Sequence, residues 1–144
     1  MRVMRGAALL VLLGFAAGCG GAVQVEPPVP EGEAAAACAR LAPLLPAELD
    51  GSARGRSEPE SPYVAVWGDG EIALRCGVPR PSRMEPTDQL MEIDGIGWFA
   101  DPATPTLFTA VTDAAYVEVT VARNHQPAEV LVDLGKPIGS AQTG

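Results

Sequence analysis

The spacing of hydrophobic positions changes repeatedly along the chain, and each change marks an expected element. Residues 7–17 form an unbroken run of small and apolar residues, and residues 20–33 then turn rich in Gly, Pro and Glu. After this, Cys38, Leu41, Leu44 and Leu45 recur at intervals of three and four, which places them on one helical face. Pro43 and Pro46 interrupt that pattern, because proline removes an amide donor and crowds the preceding turn, so the regular helix is predicted from about Ala34 to Ala42. A polar stretch from Ser52 to Pro62 follows. Tyr63-Val64-Ala65-Val66-Trp67 and Ile72-Ala73-Leu74-Arg75-Cys76-Gly77-Val78 then read as strands around a Gly68-Asp69-Gly70 corner, since Asp-Gly accepts the positive φ angles of a tight turn. Asp94-Gly95 joins Leu90–Ile93 to Ile96–Phe99 in a second hairpin, and Asp113-Ala114 joins Thr106–Thr112 to Ala115–Val121 in a third. From Gln126 to Ile138 the period returns to helical through Val130, Leu131 and Leu134, with Pro127 suited to a first turn and Gly135 read as the stop. The pattern predicts an α+β fold: one small antiparallel sheet of four to six strands, with an N-terminal and a C-terminal helix packed on one face.

Charge and cysteines add compartment to this picture. Arg2 and Arg5 precede the apolar run and Ala16-Ala17-Gly18-Cys19 closes it, the layout of a secretory signal over residues 1–18. The run is well short of the roughly 20 residues of a spanning helix. Two small residues before Cys19 resemble a lipobox, in which the cysteine thiol receives a diacylglyceryl group; Ala16 stands where that pattern prefers Leu. Acylation of Cys19 would leave Cys38 and Cys76 as one pair, suited to a disulfide in an oxidising compartment. Residues 19–33 then read as a lipid-anchored flexible spacer, and residues 34–140 as the single domain. Removal of Arg2 and Arg5 leaves 8 basic residues against 18 acidic ones, a net charge of −10, which disfavours nucleic acid and anionic lipid surfaces as partners.

Catalytic chemistry is sparse. The single histidine, His125, sits in a polar link before the last helix and reads as an exposed loop imidazole rather than a general base. No Gly-x-Ser-x-Gly elbow occurs, and with two cysteines assigned to a disulfide no zinc set is expected. Asp69-Gly70-Glu71 and Glu92-Ile93-Asp94-Gly95 lack the ligand spacing of a calcium loop. No cofactor is therefore predicted. Arg75, in an apolar strand, is expected to pair across the sheet with an acid such as Glu118. Trp67, Gly68 and Asp69 form the candidate binding corner: a glycine-rich turn leaves backbone groups approachable and an indole can stack on a sugar or peptide side chain, unless Trp67 is buried as a lid over Cys38 and Cys76.

Several segments together, Trp67-Gly68, Leu74-Arg75-Cys76-Gly77-Val78-Pro79, Asp94-Gly95-Ile96-Gly97-Trp98-Phe99 and Tyr116-Val117-Glu118-Val119, with Cys19, Cys38 and Leu45-Pro46, resemble an actinobacterial lipoprotein family classed as a domain of unknown function. The resemblance implies secretion and an anchored surface domain, and no activity. The expected role is that of a lipid-anchored, non-enzymatic interaction or ligand-binding module, bound to the membrane through Cys19 and meeting an envelope protein or a glycan. The alternative is a carboxylate-dependent envelope hydrolase acting on a glycan or peptidoglycan.

Overall fold

A computed structural model describes residues 21–143. Cys19 and residues 1–18, read above as a secretory signal, lie outside the described residues. Six strands form the main sheet: β5 (Val64–Trp67), β6 (Ile72–Val78), β7 (Met91–Ile93), β8 (Ile96–Ala100), β9 (Leu107–Val111) and β10 (Tyr116–Val121). Their order is β5-β6-β10-β9-β8-β7, antiparallel at every step. Each of the three hairpins forms between the runs that predicted it. Asp94 and Gly95 both take positive φ, 50° and 81°, as a two-residue connection requires. The α+β architecture is as expected; the pairing of β6 with β10, far apart in sequence, comes from the fold alone.

Alternation decides the core. Ile72, Leu74, Cys76 and Val78 are buried on β6, and Val117, Val119 and Val121 on β10, so both strands turn the same face inward. Two helices, α1 (Gly32–Leu41) and α2 (Pro127–Gln142), cover that face. Cys38 and Leu41 from α1 and Val130, Leu131, Leu134, Ile138 and Ala141 from α2 join the sheet residues in one cluster. The helices also touch, with Arg40 Nε donating to the Ala141 carbonyl at 2.8 Å. Cys38 and Cys76 are bonded, their Cα atoms 5.6 Å apart, fastening α1 to β6.

The helix bounds correct the reading of the sequence. α1 begins at Gly32 and gives way at Leu41 to a 3-10 turn, Ala42–Leu44, that accommodates Pro43. Leu44, expected on the core face, is consequently 47 % exposed. Gly135 does not stop α2, which continues through Pro137 to Gln142. Leu134, Ile138 and Ala141 keep the helical stripe, and all three are fully buried. That burial, roughly 1.5–3 kcal/mol for the isoleucine alone, offsets much of the roughly 3 kcal/mol that an interior proline costs.

The larger correction concerns the spacer. From Val23 the chain is docked rather than free: β1 (Val23–Gln24) pairs in parallel with β4 (Ser57–Glu58), and Pro28 is buried. Arg75 Nε donates to the Glu26 carbonyl at 2.9 Å. At Gly70 and Gly77 a Cβ would fall 2.7 Å from Val23 Cγ1 and 2.4 Å from Pro30 Cβ. The strap therefore runs along β6, from the Gly70 corner to its far end, where α1 begins. Gly70 in the corner and Gly77 on β6 provide the clearance, where the composition predicts a flexible spacer.

Candidate functional site

Three turns meet at the end of the sheet where β5 passes into β6. The first is the tip of a small hairpin, β2 (Glu48–Leu49) and β3 (Ser52–Ala53), with Asp50 and Gly51 at φ 46° and 76°. Gly68-Asp69-Gly70-Glu71 is the second, its first three residues all at positive φ. The third, Ala122–His125, links β10 to α2; it is closed by His125 N–H to the Ala122 carbonyl at 3.0 Å and tied to the second by Ala122 N–H to the Glu71 carbonyl at 2.8 Å.

His125 joins all three. Its Nδ1 lies 2.7 Å from Asp50 Oδ2 and its Nε2 lies 2.9 Å from Glu71 Oε2. The imidazole side chain is only 8 % exposed, against 27 % for Asp50 and 43 % for Glu71. An exposed loop imidazole was expected here, and the structure overturns that. A neutral imidazole carries one N–H and could serve only one of these carboxylates; imidazolium donates to both. The His125 pKa is accordingly raised, first by the hydrogen bond with Glu71 and then by that with Asp50, against a smaller opposing effect of burial. Glu71 is held below the usual glutamate value by His125 and then by Asn124, whose Nδ2 donates to Glu71 Oε1 at 3.0 Å.

The arrangement is an ionic clasp. Both ring nitrogens face carboxylates, so neither is directed at a nucleophile or a substrate proton. Asp50 and Glu71 share the same cation, unlike the acid and base of a glycosidase, which flank an open substrate position. Among the described residues no group of three or more His, Cys, Asp or Glu side chains is arranged to hold a metal ion. The sequence offered a weak signal for the clasp: Asp50-Gly51 is a further Asp-Gly turn pair, while the approach of His125 to residues 54 and 75 positions away is visible only in three dimensions.

The predicted binding corner divides. Asp69 is exposed and Gly68 half-buried, but Trp67 is fully buried. Its indole Nε1 donates to the Pro46 carbonyl at 3.0 Å, and it belongs to the same core cluster as Cys38 and Cys76. The ring is thus unavailable to a partner; the Arg54 guanidinium, 5.1 Å from its centroid, covers it at the surface. Gly68 is hemmed in as well, because a Cβ there would lie 2.7 Å from Ser52 Oγ and 3.0 Å from Glu71 Oε2. Arg75 stands where expected, directly opposite Glu118, with Nη1 2.9 Å from Glu118 Oε1.

The fold and its clasp define a small, single-disulfide α+β domain, strapped along one sheet face and held at one end by an imidazolium between two carboxylates. The chain belongs to the family described as "Protein of unknown function (DUF3515)", whose model matches residues 6–143. No curated protein and no solved structure matches it.

Proposed function

We propose that this protein is a secreted, lipid-anchored component of the cell envelope that works as a non-enzymatic interaction module, meeting an envelope protein or a glycan. The observation that carries the reading is the Cys38–Cys76 bond. A bond of this kind persists in oxidising compartments, and it leaves Cys19 as the one cysteine outside the pair, directly behind an apolar run and the small residues Ala17 and Gly18. No helix among the described residues is long and apolar enough to cross a membrane, which is compatible with attachment through a lipid. The commitment of Asp50, Glu71 and His125 to one another favours an interaction role over hydrolysis by paired carboxylates.

Cys19→Ala should move the protein from the membrane fraction to the medium, and mass spectrometry of the wild-type mature N-terminus should find an acylated cysteine. An unmodified N-terminus at another residue would remove the anchor. Release of soluble fragments from peptidoglycan by the wild type, abolished by Glu71→Gln, would instead favour the hydrolase.

A further inference from the structure

The docked strap changes what an anchor on Cys19 would do. A free spacer of 14 residues could carry the domain roughly 40 Å from the bilayer at about 3.1 Å per residue. Docking begins at Val23, however, where its N–H donates to the Arg56 carbonyl at 2.9 Å and its side chain closes on Gly70. Only Gly20, Gly21 and Ala22 separate Cys19 from Val23, a span of at most about 14 Å even when fully extended. The strap enters at the Gly70 end of β6 and leaves at the Gly77 end, so the point of attachment coincides with the corner that carries the clasp. Seven residues of β6 put the opposite end, near Val78 and the 112–115 turn, more than about 20 Å away.

Charge is compatible with that orientation. The mature chain is strongly acidic, and at this corner the exposed Arg54, Arg56 and Arg123 and the His125 imidazolium stand among Glu48, Asp50, Glu58, Glu60, Asp69 and Glu71. Arg54, Arg56 and Arg123 have no ion-pair partner among the described residues, as is true of Arg80 and Lys136 elsewhere, whereas Arg40, Arg75 and Arg83 are paired. The corner thus offers three guanidinium groups free of ion pairs to zwitterionic headgroup phosphates, although its carboxylates outnumber its cations.

We infer that the docked strap seats the domain directly on the membrane, with the Gly70 corner, including Arg54 and Arg56, against the phospholipid headgroups and the 112–115 turn pointing away. The inference rests on Cys19 carrying the lipid. It makes residues 23–30 part of an orienting device, and it presents the Val78 and Asp113 end of the sheet to whatever the envelope offers.

The test uses full-length protein, processed in a secreting host and reconstituted into phosphatidylcholine vesicles containing a headgroup-nitroxide lipid. A fluorophore is placed through Ala53→Cys at the corner or Asp113→Cys at the far end, both exposed positions. The Ala53 label should be quenched several-fold more strongly than the Asp113 label. Inserting six Gly and Ser residues between Gly20 and Gly21 should shrink that difference. Equal quenching at both positions on vesicle-bound protein would overturn the orientation while leaving the anchor intact. Protein that fails to float with the vesicles, and whose N-terminus carries no acyl group, would remove the anchor and the orientation together.

Discussion

Replacing Trp67 tests the assignment of the corner most directly. The ring is fully buried, and hiding a tryptophan removes on the order of 200 Å² from water, worth about 5 kcal/mol as an upper bound at about 25 cal/mol per Å². Measured truncations of buried aromatics to alanine fall at about 3–5 kcal/mol, and Trp67→Ala also strands the Pro46 carbonyl that accepts the indole N–H. Against a total stability of about 5–15 kcal/mol for a domain of this kind, that is a large fraction, equivalent to a fall in Tm of about 10–20 °C. Urea unfolding of the protein with the disulfide intact, followed by far-UV circular dichroism, measures it. Trp98 supplies the control. It is as deeply buried as Trp67, but its indole N–H has no acceptor among the described residues. Trp67→Phe and Trp98→Phe leave similar cavities, so Trp67→Phe should be the more destabilising by about 1 kcal/mol, the worth of one hydrogen bond. An unfolding midpoint unchanged in Trp67→Ala, together with weaker capture of an envelope ligand, would refute the burial argument and restore the ring to a binding face.

Opening the staple with Cys38→Ala and Cys76→Ala should cost about 4 kcal/mol, the chain entropy of a loop spanning 38 residues, and thiol labelling of the folded wild type should be silent at both positions. The clasp fixes the pH dependence. His125 has a raised pKa, so its contribution is complete below the ordinary value of 6.5 and is lost as pH climbs through the folded value; Glu71 has a lowered pKa, so its contribution is complete above 4.5 and is lost as pH falls through its folded value. Unfolding midpoints measured across pH should therefore decline on the alkaline side of 6.5, and His125→Asn should flatten that decline; identical slopes in the two proteins would show that the clasp does not form. Gly135→Ala should stabilise the protein by about 1 kcal/mol, because the residue lies inside a helix and a Cβ there meets Ile93 O and Ile96 Cγ1 at an ordinary 3.9 Å. A fall in the thermal midpoint would mean that α2 and the β7–β8 hairpin approach more closely than this.

What the sequence determined by itself is local. Asp-Gly pairs and strand alternation identified the hairpins, because a positive φ and a period of two are properties of a few neighbouring residues. Arg75 was legible for the same reason: a lone cation in an apolar strand needs an opposite charge on the neighbouring strand. Cys38 and Cys76 were legible by elimination. Three things were decided only by the tertiary structure. α2 passes Gly135 and Pro137 because the sheet offers Ile138 and Ala141 a place to be buried, and propensity yields to packing. The proline-rich segment docks because Gly70 and Gly77, some 50 residues away, leave room for Val23 and Pro30. His125 becomes an imidazolium between Asp50 and Glu71 because three turns converge at one end of the sheet, and no window of sequence contains all three.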